Sequence, residues 1–117
     1  MGVIPHGVEI YLGVEPIDLR WGFDRLCGVV ADRIGRRPRS GAIFAFFGKR
    51  RHAMKILYFD GTGLCLFYKR LDSGTFKFPL SCDGQLVDGQ KSSTVVLSER
   101  ELEDLFRGLD LEHPTKH

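Results

Sequence analysis

AIFAFFGKRRHAMKILYFDGTGLCLFYKRLD, residues 42–72, decides the fold, because three strand patterns and two turn signals follow one another within it. AIFAFFG (42–48) is an aromatic run without alternation, the pattern of a strand buried on both faces. AMKILYFD (53–60) and GLCLFYKRLD (63–72) flank Asp60-Gly61-Thr62-Gly63, and an Asp-Gly pair between two such runs is a strong hairpin signal. Residues 49–52 form the turn that joins the first strand to the hairpin.

Working outward, VEIYLG (8–13) reads as a further strand ended by Gly13. Leu19, Phe23, Leu26, Val30 and Ile34 recur at spacings of three or four, which predicts a helix over 18–34 with one apolar face. Asp18 is its expected N-cap and Gly35 its expected C-terminal stop, while Gly22 and Gly28 mark expected close packing on a sheet. RRPRSG (36–41) is a basic loop broken by Pro38 and Gly41. SGTFKFPL (73–80) suggests a turn and a short strand, with Pro79 at an edge or strand end. Residues 81–93 read as a polar loop, and TVVL (94–97) as a short strand or linker. Ser98 and Glu101 make a capping box that opens a short helix with Leu102, Leu105, Phe106 and Leu109 on its apolar stripe. The expected fold is α+β: an antiparallel sheet of four to five strands covered on one face by helix 18–34, plus a short C-terminal helix. One domain spans 1–112, and 113–117 form a flexible tail.

Composition narrows the setting. The chain has 117 residues, 43% hydrophobic and 27% charged, as in ordinary globular proteins. No apolar run approaches the roughly 20 residues that span a bilayer, and no secretory signal pattern opens the sequence. Cys27, Cys65 and Cys82 are odd in number and widely spaced, which fits a reduced, cytoplasmic protein without a disulfide framework. The formal charge is only +2, yet Arg33 to Phe59 holds eight basic residues and no acid. Glu99 to Glu112 holds six acids against Arg100 and Arg107. A basic middle of this kind points to a polyanion-facing patch.

Enzymatic chemistry finds little purchase. Asp60, Asp72, Asp83 and Asp88 all sit beside Gly or Ser, where turns recruit Asp for backbone hydrogen bonds. A metal-dependent nuclease built on Asp60, Asp72 or Asp83 is therefore the weakest of three readings. His6, His52, His113 and His117 lie far apart, so no metal or other cofactor is expected. Gly48-Lys49 lacks the companion residues of a phosphate loop, having Ile43 and Arg50 where Gly and Ser or Thr are required.

Binding chemistry is better supplied. Lys49, Arg50, Arg51 and Lys55 lie at the start of one hairpin strand, and Lys69 and Arg70 near the end of its partner. In a hairpin those ends are neighbours, so the six cations should converge opposite the Asp60-Gly61 turn, with Arg36, Arg37 and Arg39 extending the surface. Such a patch neutralises phosphates. Tyr58, Phe59, Phe67 and Tyr68 are stacking candidates, but most are expected in the core. Trp21, the single tryptophan, lies off the helix stripe; it either covers a sheet edge or stands at a partner surface, where it is the candidate protein-contact residue.

Taken in order, several segments resemble one known family. Ile4-Pro5, Tyr11-Leu12 and Pro16-Ile17-Asp18-Leu19-Arg20-Trp21-Gly22-Phe23-Asp24-Arg25-Leu26 are similar to the opening of the TnpB-type accessory proteins of bacterial insertion sequences of family sixty-six. Lys55-Ile56-Leu57-Tyr58-Phe59-Asp60-Gly61-Thr62-Gly63-Leu64-Cys65-Leu66, Tyr68-Lys69-Arg70-Leu71 and Gly74-Thr75-Phe76-Lys77-Phe78-Pro79 continue the likeness. It departs at Trp21, where the family usually has a basic residue, and at Phe78, where it usually has Trp. The resemblance implies a small, non-catalytic protein encoded beside a DDE-type transposase and needed for efficient transposition, unrelated to the RNA-guided nucleases that share the TnpB name. The expected partners are DNA, that transposase, or both; the alternative is a protein-interaction module without direct DNA contact.

Overall fold

The five residues of β2 (Ile43–Phe47) are all buried, because this strand lies in the middle of the sheet. A computed structural model of the chain describes residues 7–77, 86–87, 90–91 and 94–107. β3 (Ala53–Phe59) pairs antiparallel with β2, and β4 (Leu64–Arg70) pairs antiparallel with β3. On the other side of β2 lies β1 (Ile10–Gly13), parallel to it, with Ile10 opposite Ile43 and Leu12 opposite Ala45. β7 (Thr94–Val96) pairs antiparallel with β1 and gives the order β4-β3-β2-β1-β7. The α+β expectation holds, but the sheet is mixed rather than antiparallel. The reason is the helix between β1 and β2, which returns the chain to the starting end so that β2 must run alongside β1.

That crossover is α1 (Phe23–Val29), continued by π-helical turns over Val30–Ile34. It starts five residues later than the apolar spacing predicts. Asp18 does not cap it; its carboxylate instead accepts from the Arg20 backbone N–H and guanidinium, a local turn that competes with helix formation. Trp21 N–H donates to the Asp18 carbonyl and Ile17 N–H to the Phe47 carbonyl, so residues 16–22 are a strap over the end of β2. Gly35 ends the helix as expected, with φ of 72° and its N–H donating to the Val30 carbonyl.

Alternation along the strands builds two cores. Tyr11, Phe44, Phe46 and Leu57 face α1 and meet its buried Leu26 and Val30. Ile10, Leu12, Ile43, Ala45, Phe47, Met54 and Ile56 face the other way, and there Leu102 and Leu105 of α2 (Glu99–Arg107) and Phe76 close the second layer. Both faces of the sheet are therefore covered, where the spacing pattern suggested one. The capping box forms as expected: Ser98 N–H donates to Glu101 Oε1 at 2.9 Å and Glu101 N–H to Ser98 Oγ at 3.1 Å.

The expected close-packing glycines prove to be others. Gly22 and Gly28 have open space where a side chain would stand. A Cβ on Gly48 would lie 2.6 Å from Leu19 Cδ1, so the strap seats directly on the β2–β3 turn. Residues 73–77 form no strand; within the segment expected as polar loop, β5 (Leu86–Val87) and β6 (Gln90–Lys91) pair antiparallel. Phe78–Leu80, Leu109 and the tail lie outside the described residues.

Candidate nucleic-acid interface

The β2–β3 connection is a tight turn made of cations. Arg51 N–H donates to the Gly48 carbonyl at 3.0 Å, closing a turn over Lys49 and Arg50. Arg51 itself has φ of 58°, the left-handed region that a residue following such a turn adopts and that glycine usually fills. Its carbonyl accepts from Phe76 N–H at 2.7 Å, which draws the chain after β4 back across this end of the sheet. Lys49, Arg50 and Arg51 are all exposed.

The hairpin register brings the second cluster here. Arg70 lies opposite Ala53 and Lys69 opposite Met54, and Leu71 N–H donates to the His52 carbonyl at 2.8 Å. Successive side chains alternate, so Arg70 stands on the α1 face with Tyr68 while Lys69 stands on the α2 face. The exposed Lys77 joins them through the Phe76–Arg51 bond. Lys77 was not anticipated as a site residue, since only this long-range bond places it. Among the described residues, the exposed Asp72 follows Arg70 by two positions, and Asp18 of the strap is held to about pKa 2 by its side-chain bond to Arg20.

Lys55 leaves this exposed set. It is 7% exposed on the α1 face, where its ammonium donates to the Trp21 carbonyl at 2.8 Å and lies 5.3 Å from the centre of the Tyr68 ring. Buried there, it ties the 16–22 strap to the sheet. Trp21 is half-buried with the Arg25 guanidinium 5.2 Å over its ring. Tyr58, Phe59 and Phe67 are half-buried, whereas Tyr68 is 46% exposed, so one of the four stacking candidates offers a broad open ring.

Arg36, Arg37 and Arg39 do not adjoin the turn. They precede β2 and Lys49–Arg51 follow it, and a five-residue strand at roughly 3.3 Å per residue puts roughly 15 Å between the two groups. Arg36 is also engaged, its Nε donating to the Tyr11 hydroxyl at 2.9 Å. The acid-free window is therefore two patches at opposite ends of the sheet.

Asp60 has a turn role: its Oδ1 accepts from the Thr62 N–H and hydroxyl and the Gly63 N–H, which hold its carboxyl down at about 2. Asp83 lies outside the described residues. Among the described residues no three His, Cys, Asp or Glu side chains gather as a metal ion would need, and no helix is long and apolar enough to cross a membrane.

Uncharacterized protein y4hO of Sinorhizobium fredii is 32% identical over 114 residues, covering 96% of this chain and 91% of that one. Uncharacterized protein y4jC of the same organism is 37% identical over 81 residues, 69% of each chain. No solved structure matches. The model of the family described as IS66 Orf2 like protein matches residues 8–116, nearly the whole chain. By that match the chain belongs to the IS66 Orf2-like proteins, and its role is that of an insertion-sequence accessory protein.

Proposed function

We propose that the chain assists transposition by gripping the phosphate backbone of DNA through the end of the sheet formed by Lys49, Arg50, Arg51, Lys69, Arg70 and Lys77. The observation that carries this reading is the convergence of two basic clusters, distant in sequence, on one end of the hairpin. The family's insertion-sequence accessory role supports this reading. No catalytic role is assigned, and the site lies in the cytoplasm with the DNA.

Binding of a fluorescent duplex across a salt series tests it. Each phosphate neutralised adds about 0.9 to the slope of log affinity against log salt, so Arg50→Ala with Arg51→Ala should reduce the slope by about 2. No binding at low salt, or a slope unaffected by that pair, rejects the DNA contact.

A second reading is favoured where the strap meets α1: Phe23 is 45% exposed and follows half-buried Trp21 by two positions, an apolar spot suited to the transposase. Co-purification with the transposase that survives nuclease treatment and is lost in Trp21→Ala supports it; failure to co-purify rejects it.

A further inference from the structure

β4 is the last strand of the sheet, and the phase of its ladder tells which of its backbone groups are unpaired. Asp60 N–H donates to the Gly63 carbonyl and Leu71 N–H to the His52 carbonyl, so these two positions are bonded pairs of the hairpin. Bonded and non-bonded pairs alternate in an antiparallel ladder. With Tyr58 opposite Cys65, Ile56 opposite Phe67 and Met54 opposite Lys69, those three pairs are bonded as well. Leu64, Leu66, Tyr68 and Arg70 therefore turn their N–H and C=O groups outward, where no strand pairs with them among the described residues.

The side chains tell the same story. β3 buries five of its seven residues and β4 none, although Leu64, Cys65, Leu66, Phe67 and Tyr68 are apolar or aromatic. A long edge without proline or central charge is a template for another strand.

We infer that β4 pairs antiparallel with β4 of a second copy of this chain, about a two-fold axis at Phe67. The outward residues are symmetric about Phe67: Leu66 meets Tyr68 of the partner subunit, and Leu64 meets Arg70 of the partner subunit. Four bonded pairs at two bonds each give eight new backbone hydrogen bonds. Charge fixes the direction. Lys69 and Arg70 end the strand, while the turn before it holds the exposed Asp60, ionised down to about pH 2. Antiparallel pairing sets each basic end beside the partner's acidic turn; parallel pairing would set cations against cations. The product is a ten-stranded sheet with both copies of α1 on one face and both copies of α2 on the other.

Light scattering of the full chain during size exclusion should give twice the chain mass, and Tyr68→Pro should give the monomer. Proline at 68 removes an outward N–H that no ladder bond of the chain uses, together with the exposed ring beside Lys55, and circular dichroism will report that the fold survives. A second measurement does not depend on that variant. In the Cys27→Ser, Cys82→Ser background, Lys69→Cys puts a sulfur opposite Cys65 of the partner subunit in a non-bonded pair. The Cα separation there, about 4.5 Å, suits a disulfide. Mild oxidation should then yield a covalent dimer. A monomeric wild type, a dimer that survives Tyr68→Pro, or an absence of cross-linking each overturns the inference. So does a wild type that is monomeric alone but loses transposase capture in Tyr68→Pro, which assigns the edge to the transposase. These measurements contain no DNA, so their failure leaves the phosphate-binding reading untouched.

Discussion

Arg51 holds a left-handed backbone that costs an L-residue about 1 kcal/mol, at a position where glycine would cost nothing. Its neighbours hold it there, Gly48 through its carbonyl and Phe76 through its N–H. A cation kept at the expense of strain is what a contact surface would require. Arg51→Gly is therefore expected to raise stability by about 1 kcal/mol in urea unfolding while reducing the salt slope of DNA binding by about 1. A variant that is less stable, or one that binds unchanged, separates the backbone argument from the contact argument. Residue-level roles were legible where they rest on local chemistry. Asp60, Gly35 and the Ser98–Glu101 pair each do what their neighbours in sequence demand. Lys55 was not legible. Its basic neighbours suggest a surface, but period-two alternation turns it inward, and only the fold supplies the Trp21 carbonyl that accepts its hydrogen bond.

Among the elements, the β3–β4 hairpin and the buried β2 follow from pattern and turn chemistry alone, with a register matching the Asp60-Gly61 signal. The helix start did not follow, because Leu19 continues the apolar spacing although it belongs to the strap. It packs on Gly48 instead of extending α1. Nor did the parallel pairing of β1 with β2, since strand patterns carry no direction. Coverage of the second face was hidden for a similar reason: α2 shows an apolar stripe, but nothing local says which surface it meets. Its entry is nonetheless a local device with a measurable effect. Ser98→Ala leaves the Glu101 N–H without its cap and should cost about 1 kcal/mol in urea unfolding. Because Leu102 and Leu105 close the second core, the loss should appear in global unfolding. Unchanged stability would mean that α2 is held by packing alone.

On the scale of the whole molecule, the basic window is divided by the strand that runs through it. Eight cations without an acid read as one patch only while the chain is imagined flat; β2 carries Arg37 and Arg39 to one end of the sheet and Lys49, Arg50 and Arg51 to the other. A separation of roughly 15 Å exceeds the Debye length of about 8 Å at physiological salt, so the two ends are electrostatically almost independent. Arg37 and Arg39 are exposed and carry the same formal charge as Arg50 and Arg51, which makes them the matched control. If net charge drives DNA binding, Arg37→Ala with Arg39→Ala will reduce the salt slope as much as Arg50→Ala with Arg51→Ala does. If the hairpin end is the interface, the first pair will leave the slope nearly unchanged and the second will reduce it by about 2. The geometry predicts the second outcome, because Lys69, Arg70 and Lys77 reinforce only the end that carries Arg50 and Arg51. Equal effects from the two pairs would return DNA binding to non-specific attraction by the whole surface.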